Sequence, residues 1–250
     1  MTRPISRRGT FAEQPVIYGY SEDQTPLTYW PPTREKVDVL IFAGIHGEEP
    51  DSTVLLSRAL RSAGRRSPCC AAVVCANPDG LRNGTRGNAN GVDLNRNFPS
   101  GNWRADPVTH RWHVDGESCV ALSPGTEPAS EPEVRALIEL ITRIEPECVV
   151  SIHSPLGLID DPDGTALGKV LAERSGLPRS VIPTHTTPGS FGSWAGDVGL
   201  TSITYELPHV ALGDMLGVHL PILGALLENG LGMAHGRMPL VEDLPAAREQ

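Results

Sequence analysis

The chain has few aromatic residues, 5% of its 250 positions, so aromatic stacking is not its main device for recognition. It has no excess of positive charge either. Its 21 Lys and Arg face 30 Asp and Glu, and the formal net charge of -9 gives no general electrostatic footprint for nucleic acid. The five cysteines, at 69, 70, 75, 119 and 148, are odd in number and include no C-x-x-C pair. Cys69, Cys70, Cys75 and Cys148 lie in or beside apolar runs and read as small buried thiols, which suit a reducing compartment. No apolar stretch reaches the roughly 20 residues of a membrane span. The opening MTRPISRRGTFAEQP is basic but lacks the continuous apolar core of a secretory signal. The expectation is a cytoplasmic protein with no nucleic-acid partner and no membrane partner.

What is present is an ordinary globular composition, 39% hydrophobic and 20% charged, long enough for one large domain. VDVLIFAG (37–44), CCAAVVCA (69–76), ECVVSIH (147–153), RSVIPT (179–184) and TSITYEL (201–207) read as strands. Helical spacing follows the first strand at Val54, Leu55, Leu56, Ala59 and Leu60. It recurs after Ser130-Glu131-Pro132-Glu133, which predicts a capping box, then over 164–175 and from about Gly213 to Asn229. This alternation predicts a single-domain α/β fold, a mixed but mostly parallel sheet with helices on both faces. Residues 1–36 read as a lead-in segment packing on the main domain, with a short strand at Val16–Tyr20. Residues 37–236 form the domain, and 237–250 a polar tail. Residues 77–130, rich in Gly, Asn, Pro and Arg, form an irregular stretch of the kind that builds a site or lid.

In such sheets, sites form beyond the carboxyl ends of the strands. His46 follows the first strand, His153 ends the third and Glu206 closes the last. Glu49 lies three residues after His46, where the loop turns into a helix, so both can face one point. Two imidazoles and a carboxylate make a His₂Glu set, which suits catalytic zinc with a fourth position left open. Glu48 is a rival ligand; spacing favours Glu49 and leaves Glu48 to solvent. Arg82, Arg86 and Arg96 fall close together and could make a local anion site inside an acidic protein.

The order HGEE (46–49), NPDG (77–80), GTRGNANGVDLNRNFP (84–99), SIH (151–153) and TYEL (204–207) resembles the zinc carboxypeptidase family over about residues 37–210. The resemblance implies one zinc ion per chain, held by His46, Glu49 and His153. It makes Glu206 the general base and Arg86 the group that polarises the scissile carbonyl, with Arg82 a weaker candidate for that role. Asn95 and Arg96 would grip the terminal carboxylate of a small peptide substrate. ANGVDLNRNFPSGNW, SEPE, TPGSFGSW and TYELP resemble the bacterial murein peptide amidase branch of the family. That branch implies cleavage between γ-D-glutamate and meso-diaminopimelate in murein tripeptide during cell-wall recycling.

Relatives often carry a tyrosine about nine residues before the tryptophan of the GSFGSW-like segment. Here that position is His185, a candidate substrate-binding residue. Gly192 and Ser193, small residues before Trp194, would leave room for a diaminopimelate side chain. Residues 101–127 are a candidate lid or homodimer contact whose His110 and His113 read as surface residues, and DDPD (160–163) reads as a solvated turn. Two other functions share parts of this pattern: an N-acyl amino acid deacylase of the succinylglutamate desuccinylase or aspartoacylase type, and a catalytically silent peptide-binding protein.

Overall fold

The computed structural model describes residues 9–11, 13–63, 69–112 and 118–235. Its strands are β1 (Val16–Tyr20), β2 (Pro26–Tyr29), β3 (Val39–Ala43), β4 (Cys70–Val73), β5 (Val108–Trp112), β6 (Ser118–Leu122), β7 (Cys148–His153), β8 (Leu156–Asp160), β9 (Arg179–Ser180) and β10 (Thr201–Pro208). Its helices are α1 (Pro50–Ser62), α2 (Pro78–Asn83), α3 (Pro132–Ile144), α4 (Ala166–Ser175), α5 (Phe191–Asp197) and α6 (Leu212–Asn229).

Six strands form the central sheet in the order β4-β3-β7-β10-β8-β9. The run from β4 to β10 is parallel, while β8 pairs antiparallel with β10 and parallel with β9. The mixed, mostly parallel sheet expected from the alternation of elements is therefore present. Period-2 alternation divides the core. Val39, Ile41 and Ala43 face Leu55, Leu56 and Ala59 of α1 together with residues of α4 and α6. Leu40 and Phe42 face Val134, Leu137 and Leu140 of α3 with Phe191 and Trp194 of α5.

The β1–β2 hairpin lies outside the sheet, and Trp30 just after it exchanges backbone hydrogen bonds with Ala72 of β4. A second hairpin, β5–β6, interrupts the stretch that read as irregular.

Three local expectations change. The capping box does not form: α3 begins at Pro132 with Glu131 at its N-cap and no side-chain cap bond. Glu133 instead accepts from the backbone of Glu22 and from Asn88. The predicted strand 179–184 pairs only at Arg179–Ser180, because Ile182 N turns to the Asp160 carboxylate and Pro183 has no N–H for a ladder. Asp161, read as part of a solvated turn, is 2% exposed; it caps the turn by accepting from Thr165 N.

One expectation about membranes also changes. Leu212–His235, comprising α6 and the 3-10 turn after it, is long and apolar enough by length and composition to cross a membrane. Its Met215, Ile222, Leu223, Leu226 and Leu227 are buried against the sheet and α1, as a core helix requires. The polar tail at 237–250 and His113 lie outside the described residues.

Candidate metal and substrate centre

Backbone geometry fixes His46 and Glu49. The loop after β3 passes so close to α2 that a Cβ on Gly47 would stand 1.9 Å from the Gly80 carbonyl carbon. Glycine is thus required in HGEE where that loop meets NPDG. Asn77 ties the same loops together. It caps α2 by accepting from Gly80 N and donates to the carbonyls of Ile45 and Arg86. Pro50, at the first position of α1, ends the loop directly after Glu49, where a missing N–H costs nothing.

His46, Glu49 and His153 are all buried, and one ligand atom from each lies within 4.8 Å of the others. His46 Nδ1 is 2.7 Å from Glu49 Oε1 and 3.2 Å from His153 Nδ1, while His153 Nδ1 is 3.2 Å from Glu49 Oε2. The opposite nitrogen of His46, Nε2, lies 3.2 Å from Asp93 Oδ1. A carboxylate behind a ligating imidazole fixes its ring and tautomer. Two convergent imidazole nitrogens, a carboxylate and such an orienting partner fit a divalent zinc-type ion.

Asp93 organises more than His46. Its Oδ1 also accepts from Asn95 N, and its Oδ2 accepts from Arg86 Nε at 2.8 Å. Arg86 Nη1 then donates to Glu48 Oε1 at 3.0 Å, with Glu49 Oε1 at 3.4 Å. Asn95 Oδ1 accepts from Phe191 N, at the start of α5, so its amide nitrogen is the end left for a ligand. Arg96 donates Nη1 to the Asn95 carbonyl, but its Nε is buried without a hydrogen-bond partner among the described residues. Gly189 packs its backbone against the Arg96 carbonyl, 2.2 Å from where a Cβ would be, at a φ of +71°.

Burial opposes charge on His46, and Arg86 adds to that, but the Glu49 and Asp93 carboxylates outweigh both and raise its pKa. Burial would raise Asp93, yet Arg86 and His46 hold it well below the usual carboxylate range. Arg96 is pushed down by burial, and Arg86 adds to this against the pull of Asp93. Among the described residues no carboxylate forms an ion pair with this cation, and Asp93 acts on it only at longer range. Glu206 is 7% exposed, and burial raises its pKa against the opposing pull of His153. Its Oε2 accepts from Leu156 N at 3.4 Å.

The fold therefore brings His46, Glu49, His153, Glu206, Arg86, Asn95 and Arg96 to one edge of the sheet. It does not bring His185 into their hydrogen-bond network: that residue is exposed in the 3-10 turn Thr184–Thr186. Arg82 points away and pairs with Asp23. Two expectations are corrected. The Glu48 side chain is 9% exposed rather than solvated, because Arg86 and His110 both bind it. His110, read as a surface residue, lies 3.0 Å from Glu48 Oε1 and attaches the β5–β6 hairpin to the site. Asp93 was missed altogether; its position two residues before Asn95, as the cap of the 3-10 turn Leu94–Arg96, was the available signal.

Comparison with known proteins agrees with this geometry. A profile of the zinc carboxypeptidase family matches residues 71–159. Murein peptide amidase A of Escherichia coli (strain K12) is 43% identical over 230 residues, 91% of this chain and 95% of that protein. Murein peptide amidase A of Vibrio campbellii is 40% identical over 229 residues, 90% and 92% of the two chains. The crystal structure of a murein-tripeptide amidase from Escherichia coli O157 superposes with a TM-score of 0.84 at 43% identity, covering 91% of this chain and 97% of that one.

Proposed function

Because the chain belongs to the zinc carboxypeptidase family and is a peptide-bond hydrolase, we propose that it is a cytoplasmic murein-tripeptide amidase that cleaves the γ-D-glutamyl–meso-diaminopimelate bond. The observation that carries the substrate reading is the pairing of a buried, anion-seeking Arg96 with a convergent His₂Glu set. It is supported by likeness to murein peptide amidases over nearly the whole of both chains.

His46, Glu49 and His153 would hold one zinc ion per chain, which when bound supplies Lewis acidity to the reacting carbonyl. The chain's own residues do the rest. Arg96 and the Asn95 amide nitrogen bind the terminal carboxylate of the leaving diaminopimelate, using a planar fork suited to it. Arg86 is anchored through Nε and Nη1, so its guanidinium is fixed before charge develops on the scissile carbonyl oxygen. Preorganised donors of this kind stabilise the transition state more than the ground state. Glu206 takes a proton from the attacking water and returns it to the leaving amine.

The test is direct. Zinc-loaded protein is incubated with murein tripeptide, simple C-terminal peptides and N-acyl amino acids. Release of diaminopimelate from the tripeptide at the highest kcat/KM supports the reading. Preferential release of an acyl group from N-acyl amino acids would replace it with the deacylase function.

A further inference from the structure

Glu48 carries a feature that metal binding and carbonyl polarisation leave unexplained. Its Oε1 takes both protein partners, Arg86 Nη1 and His110 Nε2, each at 3.0 Å. Its Oε2 is buried and has no hydrogen-bond partner among the described residues. A buried carboxylate oxygen without a donor pays full desolvation with no return, and native structures rarely leave one so. A ligand that supplies an N–H would satisfy it.

The hydrogen bonds place this oxygen relative to the substrate. Asn95 N and Arg86 Nε bind opposite oxygens of Asp93, and Arg86 reaches on through Nη1 to Glu48. Arg86 thus stands between the Asn95–Arg96 end and Glu48. With the terminal carboxylate at Arg96 and the scissile carbonyl at Arg86, Glu48 falls on the acyl side. A γ-glutamyl group carries its nitrogen four bonds from the reacting carbonyl carbon. That is within reach of a side chain hydrogen-bonded to the guanidinium that addresses the carbonyl.

We propose that Glu48 Oε2 accepts a hydrogen bond from the nitrogen on the acyl residue's α-carbon, making Glu48 an acyl-side specificity residue for amino-substituted, γ-linked acyl groups. His110 of the β5–β6 hairpin is the positioning residue that holds the other oxygen. The inference rests on the amidase reading above and names the part of the substrate that reading leaves open.

The experiment compares two substrates on the zinc-loaded enzyme: N-acetyl-γ-D-glutamyl-meso-diaminopimelate, and glutaryl-meso-diaminopimelate, which keeps the same chain and carboxylate but lacks the nitrogen. Murein tripeptide serves as the control. The wild type is expected to favour the first by about ten- to a hundred-fold in kcat/KM, the range of a charge-assisted hydrogen bond. Glu48→Gln keeps an oxygen for Arg86 but puts an NH₂ where Oε2 stood, and the preference should collapse towards unity. Equal losses on both substrates would overturn the proposal, leaving Glu48 only to position Arg86. Absence of a preference in the wild type would overturn it as well. If murein tripeptide is cut in either case, the amidase reading survives; if the wild type cuts none of the three, both readings fall together.

Discussion

Glu206 of β10 and His153 of β7 are register partners on adjacent parallel strands, each near the carboxyl end of its strand. That pairing places the candidate base beside a candidate metal ligand through backbone hydrogen bonding alone, with no loop to position. It also accounts for the electrostatics. Burial raises the pKa of Glu206, and His153 is the largest opposing influence. A base fixed in this way can be removed without disturbing its neighbour. Glu206→Gln should therefore retain about one zinc per chain by metal analysis while kcat falls by about 10²–10⁴-fold, the usual share of general acid–base catalysis. Near-normal turnover in that variant would remove Glu206 from the mechanism.

Asp93 links the metal ligands to the substrate residues. Its Oδ1 meets His46 Nε2 and its Oδ2 meets Arg86 Nε. Asp93→Asn keeps the shape but removes the charge from both contacts. Zinc affinity should weaken by about 10–100-fold, as expected when a ligand histidine loses its carboxylate partner. Competition with a chromophoric chelator would measure this. The variant should also turn over more slowly at saturating zinc, since Arg86 loses an anchor. Unchanged zinc affinity would mean that Asp93 serves Arg86 and the Asn95 turn and not the metal ligand.

The parts of the site legible in the sequence are those that depend on strand ends. His46, His153 and Glu206 each close an apolar run, and parallel strands deliver such positions to one edge. Glu49 followed from its spacing to His46, where the loop turns into a helix. What could not be read depends on contacts between distant segments. Asp93 meets His46 across 47 residues, and Glu48 is buried only because a hairpin brings His110 to it. That hairpin was itself hidden, because β5 and β6 lie among glycines and prolines without a clear apolar alternation. β8 was missed for a similar reason: its five residues include Gly157 at a φ of +64° and start just after Pro155. The failed capping box shows the converse. The S-x-x-E pattern is present, but Asn88 and the Glu22 backbone capture Glu133 first.

Gly192 tests the room for substrate. It lies in the first turn of α5, one residue after Phe191, whose N–H holds the Asn95 side chain. A Cβ there would meet no atom within 4 Å. Gly192→Leu should therefore fold with a Tm close to that of the wild type. Its kcat/KM on diaminopimelate peptides should fall by tenfold or more, in rough proportion to the volume taken from a bulky polar side chain. An unchanged kcat/KM would exclude Gly192 from the substrate's side-chain site.

Away from the site, His219 on α6 provides a pH test of the core. Its Nδ1 lies 2.8 Å from the Tyr205 hydroxyl, and both side chains are buried. Burial lowers the pKa of His219 from 6.5. The folded protein thus binds fewer protons at this position than the unfolded chain. Its contribution to stability is present above 6.5 and is lost as pH falls through 6.5 towards the folded value. His219→Gln cannot titrate there but can still hydrogen-bond Tyr205. Urea midpoints measured from pH 7.5 to 5 should fall more steeply for the wild type than for the variant. The metal ligands are identical in the two proteins, so their titration cancels in the difference. Parallel curves would show that His219 enters the fold with an ordinary pKa and that its burial is relieved by another route.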